Sequence, residues 1–152
     1  MRDHAVLLRY RPVNGRWWEK GRKAMSDRTS DSKTFNSKTY TGGCHCGLVR
    51  FECTTDLAMV TACNCSICTK KGLHFAFLPP KSFQLRAGEE NLKEYLFNKH
   101  AIRHQICTDC GVDVFARGSK PDGTEVVALN VSCIDGVELA KLTMTPIDGR
   151  NR

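Results

Sequence analysis

The chain has 152 residues, of which 41% are hydrophobic and 26% are charged. This length suits a single domain with a real hydrophobic core, and no apolar run is long enough to cross a membrane. The formal net charge of +7 is unevenly spread, because residues 1–40 hold ten Lys/Arg against four Asp/Glu, whereas residues 41–152 hold thirteen against twelve. The nearly neutral remainder lacks the basic patch of a nucleic-acid-binding domain, so nucleic acid is not expected as a partner.

The N-terminus does not have the form of a signal peptide, because the apolar stretch at residues 5–8 is short and Arg9 ends it. Without a secretion signal, the nine cysteines indicate metal ligands in a cytoplasmic protein rather than disulfides. An odd number of cysteines also leaves at least one thiol outside any complete pairing.

The chain divides into three regions by composition. Residues 1–39 are predicted to be a disordered basic extension, because they are rich in Ser, Thr, Asp and Lys and have no regular apolar face. Met25 is a second plausible start, which would make residues 1–24 dispensable; the alternative is an ordered arm that packs Trp17 and Trp18 on the domain. The domain itself is predicted over residues 40–146, with a loose tail at 147–152.

Short β-prone segments fill the predicted domain. Two of them show the period of two that a half-buried strand has, with one apolar face formed by Val49, Phe51 and Cys53 in the first and by Leu73, Phe75 and Phe77 in the second. Further strands are predicted at 57–62, 83–86, 92–97, 102–106, 112–115 and 126–131, with a late hairpin turn at Asp135 and Gly136. No segment has the pattern of a long amphipathic helix. The predicted fold class is therefore all-β, with short antiparallel strands and zinc-binding turns.

Seven of the nine cysteines fall into three closely spaced groups: the pair Cys44 and Cys46, the triplet Cys63, Cys65 and Cys68, and the pair Cys107 and Cys110. A glycine follows each pair, Gly47 and Gly111, as in a zinc knuckle whose turn needs a positive φ. Two such pairs supply the four thiolates of a closed structural zinc site. We therefore predict one site that joins the start of the domain to its middle and stabilises the fold.

The triplet then forms a separate site with three protein ligands. Catalytic zinc sites use three protein ligands and keep one tetrahedral position for water or substrate. A fourth thiol can bind there as a thiolate, because the metal lowers its pKa. Two alternatives stay open, namely a closed second site completed by a histidine or by Cys53 or Cys133, and an inert buried cluster. These two cysteines are otherwise expected to be core residues, since free cysteine packs as a small hydrophobe.

Polar residues after the triplet are candidates for contacts with a ligand. His74 is the best candidate for a polar group near the open position, against the alternative of a surface histidine on a strand. Lys70 and Lys71 can attract a carboxylate-bearing ligand or can simply form a solvated turn. His104 is expected to be a buried histidine with a polar partner rather than a metal ligand.

The three cysteine groups, in this order, resemble the glutathione-dependent formaldehyde-activating enzyme family. The matching stretches are residues 43–51, 63–68 and 107–111, within a resemblance that covers residues 40–146. The resemblance implies an Mss4-like β-fold with two zinc ions. It also implies that the two pairs hold the structural zinc and that the triplet holds the catalytic zinc.

The reaction implied by the resemblance is the condensation of glutathione with formaldehyde to S-hydroxymethylglutathione, classed as a carbon–sulfur lyase reaction in reverse. The chain departs from the family at Asn64, where many members have His, and at Lys70 and Lys71, where relatives have Arg and small residues. These positions are expected to face the substrate. The predicted mechanism is zinc-assisted addition of a small thiol to an aldehyde, with water or His74 as the proton donor.

Two other functions remain open at this stage. One is a carrier that binds the thiol or the aldehyde without turnover. The other is an interaction module in which both zinc ions are structural. The physiological thiol and aldehyde and the oligomeric state are not determined by the sequence.

Overall fold

The structure, a computed structural model, describes residues 37–151. The predicted N-terminal extension therefore lies outside the described residues up to residue 36, together with Met25, Trp17 and Trp18. The described part contains ten strands and one α-helix: β1 Lys38–Gly43, β2 Arg50–Thr55, β3 Val60–Cys63, α1 Ser66–Lys71, β4 His74–Leu78, β5 Phe83–Ala87, β6 Leu92–Leu96, β7 Arg103–Cys107, β8 Asp113–Ser119, β9 Glu125–Asn130 and β10 Met144–Ile147. The predicted all-β, Mss4-like fold class is confirmed.

The strands form two sheets. A small antiparallel sheet has the order β1-β2-β5, and a seven-stranded sheet has the order β10-β3-β4-β9-β8-β7-β6. Every pairing between the named strands is antiparallel except that of β10 with β3. No helix of residues 37–151 is long and apolar enough to cross a membrane.

The main hydrophobic core joins side chains of both sheets. Phe83 in β5 lies between Phe51 in β2 and Phe115 in β8, with ring centroids 5.5 Å and 4.7 Å away. Val49, Phe51 and Cys53 are all at least 99% buried, which confirms their predicted apolar face. Aromatic pairs at such distances add to the energy gained from burial.

A second, smaller cluster packs the helix against the seven-stranded sheet. It consists of Ile67 and Cys68 from α1, Leu73, Phe75 from β4, Ala116 from β8 and Ala128 from β9, with Cys63, Cys65 and Phe97 partly buried at its edge. The strand residues next to these, such as Ala76 and Leu129, belong to the main core instead. Because neighbouring residues of a strand point to opposite faces, the helix lies on the face of the large sheet away from the main core.

Local hydrogen bonds shorten the strand predicted at 57–62. It begins at Val60, because Thr55 Oγ1 accepts a hydrogen bond from the Leu57 N–H at 3.2 Å and Asp56 Oδ1 accepts one from the Ala58 N–H at 3.0 Å. Short polar side chains compete in this way with ladder hydrogen bonds. Leu57 accordingly has a φ of +52°.

Two further expectations are wrong in detail. Phe77 is 52% exposed, although Phe75, two residues earlier in β4, is buried. The alternating apolar pattern of the sequence includes Phe77, but the cluster around α1 that buries Phe75 does not extend as far as Phe77. The predicted late hairpin at Asp135 and Gly136 does not form, because β10 crosses to the far edge of the large sheet and pairs in parallel with β3.

A surface ion pair connects the small sheet to the segment that follows β9. Asp135 pairs with the Arg50 guanidinium, accepts a hydrogen bond from Thr41 Oγ1 at 3.0 Å, and donates its backbone N–H to the Thr41 carbonyl at 2.9 Å. The hydrogen bond from Arg50 holds the pKa of Asp135 below its usual value. A lowered pKa in the folded state means that the carboxylate stabilises the fold at neutral pH, and that this contribution is lost as the pH falls through that pKa.

We expect Asp135→Asn to lower the free energy of unfolding by about 0.5–1 kcal/mol at pH 7, because both partners of this pair are partly exposed. The difference from the parent should shrink as the pH is lowered below the usual pKa of aspartate. Urea unfolding at several pH values measures both effects. Glu138→Gln, which removes the local pair of Glu138 with Lys141, is the control, and an equal effect of both substitutions would contradict the assignment.

Candidate metal centres

Two turns bring four thiols together at one end of the molecule. Cys44 and Cys46 lie in the turn after β1, and Cys107 and Cys110 lie at and after the end of β7. Cys46 Sγ is 3.3 Å from Cys44 Sγ and 3.6 Å from Cys107 Sγ, and all four sulfur atoms lie within 4.8 Å of one another. Gly47 and Gly111 have φ values of +84° and +74°, as the knuckle prediction requires.

This quartet has the donor set of a closed metal site. Tetrahedral zinc with Zn–S bonds of about 2.3 Å places its sulfur ligands about 3.8 Å apart, close to the separations of these four atoms. None of the four cysteines is in a disulfide. Soft thiolates select zinc among the common divalent metals, so the residues fit a zinc ion in number, spacing and chemistry.

Backbone N–H groups favour the thiolate form at two of the four positions. Burial opposes ionisation of Cys110, but N–H groups of Cys46 and Val112, with neighbouring thiols, lower its pKa to about 6. Burial likewise opposes ionisation of Cys44, and the Val49 N–H and the adjacent thiols outweigh it and lower the pKa. A thiolate at Cys110 would attract a cation to the quartet, and a bound cation would ionise the remaining thiols.

The triplet forms a second group at the start of α1. Cys63 ends β3, Cys65 is the N-cap of the helix and Cys68 lies one turn into it, and their sulfur atoms are within 4.8 Å of one another. The helix ends at Gly72, whose φ of +63° is the left-handed conformation usual at that position. The group has three members among the described residues, so it can hold a metal ion and leave one tetrahedral position for another ligand.

Within the triplet, Cys65 is the thiol most disposed to ionise. Burial opposes its ionisation, but the backbone N–H groups of Cys68 and Ile67 and the two neighbouring thiols lower its pKa. Burial raises the pKa values of Cys63 and Cys68. The free backbone N–H groups of the first helical turn point towards the N-cap residue Cys65, and they therefore favour a negative charge on its sulfur.

Cys53 and Cys133 belong to the core, as predicted. They are 1% and 7% exposed, and neither lies in a thiol group. Burial raises their pKa values to about 11 and about 12. They are therefore protonated core side chains, and the alternative in which one of them completes the triplet is wrong.

A buried charge cluster lies beside the helix that carries Cys68. His104 Nδ1 is 3.0 Å from Asp113 Oδ2, and the two side chains are 3% and 1% exposed. Lys71, the last residue of α1, places its Nζ 3.5 Å from the same oxygen. His104 is thus buried with a polar partner, as expected, and it packs against Phe75 and Phe97 at centroid distances of 6.2 Å and 6.0 Å.

A shallow cavity of about 340 Å³ opens beside Lys71. It is lined by Lys71, Leu73, Cys110, Gly111, Val112, Asp113 and Asn130. Its lining includes residues of the second knuckle and residues at the end of α1, but no cysteine of the triplet. Sequence reasoning missed Asp113, because an isolated acidic residue at the start of a strand gives no signal of burial.

The three predicted substrate contacts lie in different environments. Lys70 is exposed on the last turn of α1. Asn64 is exposed, but its side chain is bonded to residues 148 and 150. His74 pairs with Ala62 and therefore points to the face of the sheet opposite Phe75, which packs with Cys63.

We expect Cys110→Ser and Cys65→Ser to have different effects. Loss of a quartet ligand should remove one metal ion and destabilise the whole fold, because a structural zinc supplies folding free energy. Loss of a triplet ligand should remove one metal ion and leave a folded protein. Metal content by elemental analysis and far-UV circular dichroism measure the two outcomes, and an unfolded Cys65→Ser variant would contradict the separation of the sites.

Lys71→Met should lower the free energy of unfolding by about 1–2 kcal/mol, because it removes one of the two side chains that contact the buried carboxyl group of Asp113. Lys70→Met, one residue earlier on the same turn, is the matched control and should change stability by less than about 0.5 kcal/mol. Adding Asp113→Asn to the Lys71→Met variant should recover part of the loss, since it removes the acidic group that Lys71 contacts. Chemical unfolding at pH 7 compares the four proteins, and equal effects of the two lysine substitutions would contradict the role of Lys71.

Comparison with known proteins identifies the family of the chain. The sequence model of one family, described as glutathione-dependent formaldehyde-activating enzyme, matches residues 39–146. A crystal structure of a Rhodobacter sphaeroides protein from structural genomics is similar, with a TM-score of 0.61 and 29% identity, and the match covers 70% of this chain and 97% of that one. The family match spans most of the chain and includes every residue of the quartet and the triplet, so the chain belongs to the glutathione-dependent formaldehyde-activating enzyme family.

Proposed function

We propose that this protein is a zinc-dependent carbon–sulfur lyase that adds a small thiol, such as glutathione, to formaldehyde or a related small aldehyde. The product is an S-hydroxymethyl thiol. The observation that carries the proposal is the triplet, in which three sulfur atoms within 4.8 Å of one another leave a tetrahedral position for an external thiol. Family membership supports the same class of reaction.

The residues assigned to metal binding divide by role. Cys44, Cys46, Cys107 and Cys110 would hold a structural zinc, and Cys63, Cys65 and Cys68 would hold a second zinc at the reaction site. When bound, the second zinc supplies positive charge that favours the thiolate form of a nearby thiol and polarises a carbonyl oxygen. The apolar cluster of Ile67, Leu73 and Phe75 keeps water from the inner side of the triplet.

The reaction needs no oxidant or reductant. A bond forms between the sulfur of the thiol and the carbonyl carbon, the carbon–oxygen π bond breaks, and the proton lost by sulfur ends on the new hydroxyl oxygen. We assign that proton transfer to water, because His74 points to the other face of the sheet. The protein then contributes mainly by holding the two reactants together, which lowers the barrier through proximity.

Lys70 is the residue assigned to recognition of the thiol. It is exposed on the helix that carries Cys68, so its ammonium group can meet a carboxylate of glutathione near the triplet. An exposed charge pair of this kind contributes little affinity, about 0.2–1 kcal/mol. It would select thiols that carry a carboxylate without being required for the reaction.

The proposal predicts a saturable rate of S-hydroxymethylglutathione formation above the uncatalysed rate, measured by NMR exchange spectroscopy at catalytic protein concentrations. Cys65→Ser should lose this excess rate. Lys70→Met should raise the KM for glutathione about twofold to fivefold and leave kcat unchanged. With cysteamine, a thiol without a carboxylate, Lys70→Met and the parent should have the same KM.

The other functional classes give different results in the same experiment. A carrier binds glutathione or formaldehyde stoichiometrically and gives no excess rate. A module with two structural zinc ions gives neither binding nor excess rate, and glutathione does not alter the coordination of either metal. Either result would overturn the enzyme assignment.

A further inference from the structure

The chain after β10 runs along the triplet. Ile147, the last residue of β10, is the parallel neighbour of Cys63 in β3, and the Asn64 N–H donates a hydrogen bond to the Ile147 carbonyl at 3.1 Å. Residues 147–151, here called the strap, therefore begin beside the first thiol of the triplet. The family match ends at residue 146, so the strap lies beyond the matched span.

Asn64 binds the strap through both polar atoms of its side-chain amide. Its Nδ2 donates to Asp148 Oδ1 at 3.0 Å, and its Oδ1 accepts from the Arg150 N–H at 3.0 Å. Asn151 Nδ2 holds the other oxygen of Asp148 at 2.8 Å. A side chain at position 64 must supply a donor and an acceptor to make both contacts, which an amide does and a carboxylate does not.

Gly149 brings the strap backbone against the thiols. A methyl group added at Gly149 would overlap Cys63 Sγ and would lie 3.2 Å from Cys65 Cβ. The strap therefore leaves no room for a side chain at this point. One side of the triplet is consequently covered by the backbone of the chain itself rather than by solvent.

We propose that the strap forms a wall over the Cys63 and Cys65 side of the second metal site, and that Asn64 is a positioning residue that holds the strap closed. The wall restricts the approach of external ligands to the remaining side and slows the release of the bound metal. This inference rests on metal binding at the triplet, which belongs to the proposed function, and is independent of the thiol–aldehyde reaction.

The test uses the full chain loaded with zinc and a chromogenic zinc chelator. Asn64→Ala and Asn64→Asp should each accelerate the release of the second metal about tenfold or more, as loss of groups that support metal ligands does elsewhere. The release of the quartet metal should not change. Hydrogen exchange of the strap amides, measured by NMR, should increase in both variants.

An exchange of the two side chains at positions 64 and 148 distinguishes the specific contact of Asn64 with Asp148, here called the latch, from a general loss of stability. In the Asn64→Asp, Asp148→Asn double variant, the donor and the acceptor of the pair are interchanged while the acceptor for the Arg150 N–H is kept. We expect both the metal release rate and the strap exchange to return to within about threefold of the parent, because the exchanged pair again joins an amide donor to a carboxylate and the remaining difference is no larger than one net hydrogen bond. A double variant that behaves like Asn64→Asp alone would overturn the latch.

Gly149→Ala tests the contact between the strap and the thiols. The added methyl group should displace the strap or Cys63, and should accelerate metal release to a similar extent. Gly118→Ala is the control, because a methyl group there meets its nearest atom at 3.6 Å. Equal rates of metal release from Gly149→Ala and the parent would overturn the proposed wall.

If the parent binds only one metal ion, the proposed function fails instead. Hydrogen exchange of the strap amides then decides alone whether Asn64 holds the strap in place.

Discussion

Four thiols from two turns, 61 residues apart between Cys46 and Cys107, meet within 4.8 Å, and the arrangement of the two sheets depends on this convergence. Thiolates at such distances repel one another unless a cation lies among them. Cys44 directly follows β1 of the small sheet and Cys107 ends β7 of the large one, so a metal held by the quartet would join the sheets at one end. Between the sheets, Phe51, Phe83 and Phe115 supply the apolar contacts that a metal site alone cannot provide.

The position of the triplet depends on segments next to the quartet, although the three cysteines of the triplet are close together in sequence. Helix α1 has six residues, too few to be stable in isolation, so its position comes from packing on the large sheet and from the ion pair of Lys71 with Asp113. Asp113 begins the strand that follows the second knuckle, and the Cys107 N–H is bonded to the Val112 carbonyl at 2.9 Å. The quartet therefore adjoins the strand to which the helix of the triplet is tied.

Local patterns predicted much of this molecule. The spacing of the cysteines predicted the two thiol groups that could hold a metal. The glycines after each pair predicted the turns of the quartet, because knuckle geometry is encoded within a few residues. The alternation of apolar and polar residues predicted the buried face of Val49, Phe51 and Cys53. It failed at Phe77, because burial of that side chain depends on how far the apolar cluster around α1 extends over the sheet. The burial of Asp113 and the contact of Gly149 with Cys63 could not be predicted, since each depends on which distant segments meet in the folded chain.

The parallel pairing of β10 with β3 also has a practical consequence. It brings the strap backbone at Gly149 against Cys63, although the two residues are far apart in sequence. A histidine introduced into the strap would lie near any metal held by the triplet, with imidazole nitrogens that bind zinc well. Tethered ligands act at effective concentrations of about a millimolar, so such a histidine would compete with external ligands for a metal held there. Variants made for metal analysis or ligand binding therefore need a strap without an added histidine.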